Sequence, residues 1–321
     1  MWTGVSGFSH AEVPVTEDML FDAGSIVKSM EAALALKYAE DGLLDLDAPI
    51  STWLPPLMHV DGDITVRQLI NHTSGIYNVF EHPDFPWVGE DVEYERHWAL
   101  EEVFENFVLE PYGPPGHTQH YSSTNYLLLT AILENVTGEP TFEAIANMQL
   151  KPLGLENSYL SMEGSIPVQY DVAHPWVDID GDGVLEDLVG IPVTWKAGLT
   201  HPVLYASPED LAIWMKALFL ERTVLPPGTL EEMLTVPEFT VSNSEGVRYG
   251  LGVGDFSGIL GVEAIGHGGS ALGYNAATLY LPEYKTILVW MINTGESPPE
   301  LASDLMWQIW SSLSDVITEQ L

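Results

Sequence analysis

The sequence predicts an α+β fold: an antiparallel sheet with flanking helices from the two ends of the chain, and a mostly helical domain inserted between. Three observations predict it. Strand-like patterning is confined to residues 1–10 and to the stretch from Tyr249 onward, helical patterning fills the middle, and a helix that is apolar nearly all round follows the first strand. The expected division is 1–44 with 196–321 for the sheet domain and 45–195 for the helical domain, with a cleft between them.

Residues 1–10 read as a strand. From Ser25 to Glu40 the apolar residues Ile26, Val27, Met30, Ala32, Ala33, Leu34, Leu36 and Ala39 cover most of a helix surface. Such a helix belongs in a core, and Gly42 supplies its C-terminal stop. A segment punctuated by Pro49, Pro55 and Pro56 precedes a short helix, Thr65 to Asn71, with Thr65 as its cap. Residues 122–137, 141–150 and Ser207 to Leu220 also read as helices. The last opens on Ser-Pro-Glu-Asp, which supplies a cap, a proline at N1 and acids in the first turn. Gly250 to Gly254, Ala276 to Leu281 and Thr286 to Ile292 read as strands, with Pro282 to Lys285 as a hairpin loop. An amphipathic helix from Glu300 to Leu313 closes the chain.

Composition narrows the partners. With 321 residues, 46% of them hydrophobic, the chain can build one large domain or two interleaved ones. Its most apolar stretch, Ile26 to Ala39, is interrupted by Lys28, Ser29, Glu31 and Lys37, so no membrane insertion is expected. Met1-Trp2-Thr3-Gly4 has neither a basic nor an apolar leader region, yet Trp2, Val5 and Phe8 read as mid-strand. This points to an exported, periplasmic or extracellular protein whose signal segment lies outside this chain, with the cytoplasm left open. With no cysteine, disulfides and thiolate metal sites are excluded. Ten basic against 47 acidic residues give a net charge of −37, which repels nucleic acid and anionic lipid. The acids are scattered, as on a solvated surface. A salty habitat is the sharper alternative, because 1 M salt cuts the Debye length to about 3 Å.

Three short motifs carry chemistry. In Ser25-Ile26-Val27-Lys28 the serine and lysine share a helix face, so the Lys28 amine can reach the Ser25 hydroxyl. A serine is a weak nucleophile without a base, and a buried lysine can become one. A helix starting at Ser25 also aims its N–H groups at an oxyanion formed there. Taken alone, the motif also reads as a capping serine near a solvent-facing lysine. Yet Lys28 lies in an apolar helix and is the only lysine with a serine three residues before it. The second motif, Tyr121-Ser122-Ser123, follows the loop Pro111 to Gly116 and presents a phenol at a helix start, as a general base, a proton relay or a buried structural tyrosine. In the third, His267-Gly268-Gly269-Ser270, the glycines let a substrate lie along a strand edge, and the Ser270 N–H can be a second oxyanion donor.

In this order the three motifs resemble the serine β-lactamase-like family, which includes class C β-lactamases, D-alanyl-D-alanine carboxypeptidases and family VIII esterases. Connecting segments share the resemblance: Phe21 to Ser25, Gly42 to Asp47, Leu69-Ile-Asn-His-Thr-Ser-Gly-Ile76, Gly198-Leu-Thr200, Glu209 to Trp214 and Tyr249-Gly-Leu-Gly252. The resemblance implies a β-lactamase/transpeptidase-like fold and a hydrolase that needs no cofactor for catalysis. It further implies that Ser25 is acylated, Lys28 and Tyr121 manage protons, and the Ser25 and Ser270 N–H groups form the oxyanion hole. Ser123, Gly268 and Gly269 would contact substrate. Two positions depart from the family: Ser123 stands where relatives carry the Asn that binds penicillin and peptide amides, and His267 where many carry lysine.

Charge bears on the substrate. Arg67, Arg96, Arg222 and Arg248 lie outside the motifs, and the negative field penalises anionic substrates such as penicillins. The same field opposes loss of the Lys28 proton. The expected activity is therefore acyl transfer from a neutral ester through Ser25 to water. The alternatives are a D-Ala-D-Ala carboxypeptidase or β-lactamase, and a non-catalytic relative that binds a ligand or partner. No His-Glu-x-x-His and no Gly-x-Ser-x-Gly occurs, which argues against a zinc peptidase and an α/β-hydrolase. Asp178, Asp180 and Asp182, with Gly183 at the sixth position, match the start of a calcium loop. Its twelfth position is Val189, so Glu186 or Asp187 would have to replace the usual Glu, and an acidic surface turn is the other reading. His72 reads as structural; His117 and His120 line the cleft or a surface loop.

Overall fold

The computed structural model describes residues 2–85, 98–161, 170–179, 181–189, 202–238 and 247–295. The expected closing helix, the Gly198 to Thr200 segment, Arg96, Asp180 and the 195/196 boundary lie outside these residues.

The chain opens with β1 (Phe8–His10) and β2 (Val13–Pro14), a hairpin, then β3 (Phe21–Asp22). A single 3-10 turn, Gly24–Ile26, leads into α1 (Val27–Glu40). Eleven of the fourteen residues of α1 are buried, as an all-round apolar surface demands. Its polar groups find partners inside: Trp214 Nε1 donates to Ser29 Oγ at 3.0 Å, and Thr130 Oγ1 to Glu31 Oε1 at 2.7 Å. Gly42, at φ +72°, follows the last turn as expected.

Further helices come next: α2 (Val66–Ile70), α3 (Leu100–Phe107), α4 (Thr124–Thr137) and α5 (Thr141–Ile145), the last continued by a π-turn to Leu150. Thr65 caps α2 in a full capping box with Gln68. The strand β4 (Ser158–Ser161) pairs with β7 (Val203–Ala206), which also pairs with β3. Between them β5 (Trp176–Val177) and β6 (Glu186–Asp187) form a small hairpin. Ser207 accepts from Asp210 N and opens α6 (Pro208–Met215); α7 (Pro227–Leu234) follows.

The main sheet is antiparallel and orders β8 (Arg248–Tyr249), β9 (Gly254–Asp255), β10 (Ile265–Ala271), β11 (Tyr274–Leu281) and β12 (Thr286–Ile292) from one edge to the other. Residues 282–285 close the β11–β12 hairpin as predicted, with Lys285 at φ +49°. One hydrophobic cluster runs from Ala23 through α1, α2, α4 and α6 to Ala276, so the helices and the sheet share a core. Among the described residues, no helix is long and apolar enough to cross a membrane.

The structure corrects two expectations. Only Phe8–His10 of the first ten residues is strand. Among the described residues the five-stranded sheet holds C-terminal strands, and β1 is tied to the end of β12 by Asn293, whose Nδ2 donates to Phe8 O and Ser9 O. Residues 250–253 form a turn, not a strand, closed by Gly250 N donating to Val253 O. Gly252 there sits at φ +75° and lies so close to α1 that a Cβ would come within 2.3 Å of Ala32 Cβ.

Candidate active site

The start of α1 is held from below and from the side. Gly24 N donates to the buried Asp22 carboxylate at 2.9 Å, and Ala23 N donates to Leu204 O in β7. Ser25 is thereby fixed, half-buried, on the 3-10 turn. One helical turn on, Lys28 is 2% exposed, and its Nζ donates to Ser25 Oγ at 2.9 Å. The spacing predicted this contact, because residues three apart lie one above the other. The Lys28 amine also faces two aromatic rings, 5.4 Å from the Tyr121 centroid and 5.5 Å from that of Tyr126.

Tyr121 stands just before α4, its ring 4.3 Å from His72, 5.5 Å from Tyr249 and 6.5 Å from His267. Its hydroxyl is buried and has no hydrogen-bond partner. The structure thus brings Tyr121 to Lys28 through its ring and leaves its oxygen unbonded to Ser25.

On β10, His267 Nδ1 lies 2.5 Å from Gly268 O, so that nitrogen carries the proton and donates. Burial first, and the neighbouring Lys28 charge second, push the His267 pKa down to about 3, against a small rise from the Gly268 hydrogen bond. The imidazole is neutral at any working pH and cannot replace a lysine as a cation. Gly269 and Gly24 are needed for contact between backbones. A Cβ on Gly269 would meet Ala23 O at 1.9 Å and Ser25 N at 3.3 Å, and one on Gly24 would meet Ser270 N at 2.7 Å. β10 therefore lies against residues 23–25, with the Ser270 and Ser25 backbones side by side.

Ser123 is buried, and its N–H donates to Asn78 Oδ1, so it serves the start of α4 more than an open pocket. His120 stacks on Tyr112 at 3.7 Å beside the site, whereas His117 is exposed. In the acidic loop, Asp178 accepts from the N–H groups of Gly181, Asp182 and Gly183, and Glu186 from that of Ile179. Among the described residues, which omit Asp180, no three histidine or carboxylate side chains are grouped to hold a metal ion.

Three residues around the site carried no local signal. Gln119 accepts from Tyr249 N and donates to Tyr249 O and Asn71 O, stitching the loop before Tyr121 to β8 and to the segment of His72. Tyr249 and Tyr126 complete an aromatic box around Lys28, His72 and Tyr121. Only the fold brings them together.

The buried neutral His267 has a consequence for stability. In the unfolded chain a histidine takes up its proton near pH 6.5. The folded state resists until about pH 3, so the unfolded state binds more protons in between. Stability from this group is complete above pH 6.5 and is lost as the pH falls towards 3. Neutralisation of the acidic surface acts the other way, so the expected result is a difference: His267→Asn will lose less stability than the wild type between pH 6.5 and 4. Parallel acid unfolding curves for the two would contradict it.

The structure thus holds a serine and a buried lysine in contact at a helix start, beside a sheet walled by helices. The chain belongs to the beta-lactamase family: residues 2–309 match the model described as Beta-lactamase. Penicillin-binding protein 4 of Amycolatopsis lactamdurans is 29% identical over 175 residues, 53% of this chain and 44% of that protein. Esterase EstB of Burkholderia gladioli is 30% identical over 155 residues, 45% of this chain and 39% of that one. These matches span less than half the length of the two curated relatives. The crystal structure of a D-stereospecific amidohydrolase from a Streptomyces species superimposes with a TM-score of 0.73 at 30% identity, covering 86% of this chain and 82% of the other.

Proposed function

We propose that the protein hydrolyses a neutral carboxylic ester through an acyl-enzyme on Ser25, in a cleft between the sheet part (1–44, 196–321) and the helical part (45–195). Ser25 Oγ attacks the carbonyl carbon while its proton passes to the Lys28–Tyr121 pair. The oxyanion is held by the Ser25 and Ser270 N–H groups. The alkoxide leaves with the proton, and water repeats the sequence on the acyl group. One observation carries this reading: the buried Lys28 amine on Ser25 Oγ at 2.9 Å.

Electrostatics support a neutral substrate. His267 supplies no charge, Arg67 is committed to Asp47 and Glu232, and Arg248 to Asp255. A second reading, hydrolysis of a D-amino-acid amide, is favoured by the likeness to the Streptomyces amidohydrolase. A panel of p-nitrophenyl butyrate, a chromogenic cephalosporin and D-alanine p-nitroanilide separates these. We expect the ester to be fastest, and Ser25→Ala to be slower by roughly 10⁴-fold or more. A faster anilide or cephalosporin overturns the ester assignment, and an active Ser25→Ala overturns the nucleophile.

Two further parts of the proposal have their own tests. The loop at Asp178, Asp180, Asp182 and Glu186 takes a structural calcium ion, so added calcium should raise the melting temperature and an unchanged melt removes the site. The setting is exported, periplasmic or extracellular, with the cytoplasm as the alternative; activity confined to the cytosolic fraction of the source cells would exclude export.

A further inference from the structure

The direction of the Ser270 N–H follows from the pairing of its strand. Ala271 and Tyr274 pair across a two-residue loop, and residues so close along the chain can pair only by bonding each other. Bonded and non-bonded pairs alternate along an antiparallel ladder, so Ser270 and Asn275 form a non-bonded pair. The Ser270 N–H therefore points away from β11. On that side Gly24 lies so close that a Cβ on it would meet Ser270 N at 2.7 Å.

The turn that follows Ser270 does not shape itself. Two-residue hairpin loops that match the twist of their strands need a positive φ at the first loop residue. Here only the second, Gly273, is left-handed, at φ +76°, a form that splays the strands. Gly273 is instead wedged from two sides. A Cβ on it would meet Pro175 Cβ at 2.4 Å, and a Cβ on Gly295 would meet Gly273 N at 2.8 Å. The next residue is tied as well, because the Tyr274 hydroxyl donates to Ala173 O.

Both sides of the wedge meet at Asn293, just past β12. Its Nδ2 donates to His174 O at 2.9 Å and its carbonyl accepts from Trp176 N at 3.0 Å, which fixes the chain on either side of Pro175. The residues after it, β13 (Thr294–Gly295), pair in parallel with β5. The same amide reaches Phe8 O and Ser9 O at 3.2 and 3.3 Å, and the buried Ser9 Oγ accepts from His174 N.

We propose that Asn293 is a positioning residue for the Ser270 N–H, acting through the wedge of Pro175 and Gly295 on Gly273. By closing that wedge it sets where the end of β10 stands against Ser25. This rests on the reading of the Ser270 N–H as an oxyanion donor. Such a residue acts on the tetrahedral, negatively charged state and not on the bound ester, so its effect belongs in kcat rather than KM.

The test measures p-nitrophenyl butyrate hydrolysis, inhibition by butylboronic acid and a melting curve for wild type, Asn293→Ala, Gly295→Ala and Ser25→Ala. Butylboronic acid forms an anionic tetrahedral adduct on a reactive serine and so reports on the oxyanion donors. Asn293→Ala should lower kcat roughly 10–10²-fold, weaken boronate inhibition by a similar factor and leave KM within about twofold of wild type. Gly295→Ala removes no hydrogen-bonding group and drives a Cβ into the Gly273 backbone, so it should show the same split. Wild-type kcat and boronate affinity in a folded Asn293→Ala overturn the role of Asn293, and so does a loss carried by KM with kcat intact. Should Asn293→Ala fail to fold, Gly295→Ala decides: lowered kcat and boronate affinity at unchanged KM support the proposal, and wild-type kinetics overturn it. A wild type that the boronate does not inhibit, or an active Ser25→Ala, removes the acyl-enzyme reading itself, and this inference falls with it.

Discussion

Lys28→Met will lower kcat by roughly 10³-fold while leaving the melting temperature unchanged or higher. The two side chains have similar length and volume, and Met adapts to irregular space. Lys28 is almost fully buried, and among the described residues no carboxylate pairs with its amine. Its contacts are the Ser25 hydroxyl and the faces of Tyr121 and Tyr126. The amine makes one hydrogen bond in this buried setting, and an incompletely paired buried polar group costs about 1–3 kcal/mol. Removing the amine therefore relieves the core while taking away the proton acceptor proposed for Ser25. Calorimetry and steady-state kinetics on one preparation check both halves. A variant that is unstable and inactive together would mean that the lysine serves the fold rather than the reaction.

Gly269→Ala will be damaging in both respects. Its new Cβ would meet Ala23 O at 1.9 Å and Ala23 C at 2.9 Å, and neither atom belongs to a side chain that can swing away. β10 must retreat from residues 23–25, and the Ser270 N–H moves off with it. Loss of one oxyanion donor, the role proposed for that N–H, costs about 10²–10³-fold in kcat, and the displaced strand, paired on one side to β9 and on the other to β11, lowers the melting temperature. Gly228→Ala in α7 is the control: nothing lies within 4 Å of its Cβ, and alanine favours the helix. If Gly269→Ala behaves like Gly228→Ala, the close approach of β10 to Ser25 has no catalytic meaning.

What could be read from the sequence divides by distance along the chain. The Ser25–Lys28 contact is local, since helical geometry alone brings the pair together, and the caps at Thr65 and Ser207 are equally local. The burial of α1 followed from its all-round apolar surface. The hairpin at 282–285 followed from its turn residues and the β-branched runs beside it. The glycines at 250 and 252 misled, because close packing on α7 and α1 requires glycine just as an open strand edge would. How β1 is held was not legible, because nothing in it announces that side chains of Trp176 and Asn293 satisfy its carbonyls. His72 was readable only as part of a segment; its contacts with Ser122 and Asn125 join it to residues 50 and 53 positions away.

The burial of α1 has a bearing on how this protein can change. The helix that carries Lys28 and follows Ser25 is pressed on by α4, α5, α7 and the 250–253 turn, so most replacements along it will be removed by misfolding before any altered preference can be selected. Variation in what is accepted must come instead from rims that are less tightly enclosed, such as the Tyr112–His120 stack. In laboratory selection, libraries confined to that rim should yield new specificities at far higher frequency than libraries spread over residues 26–36.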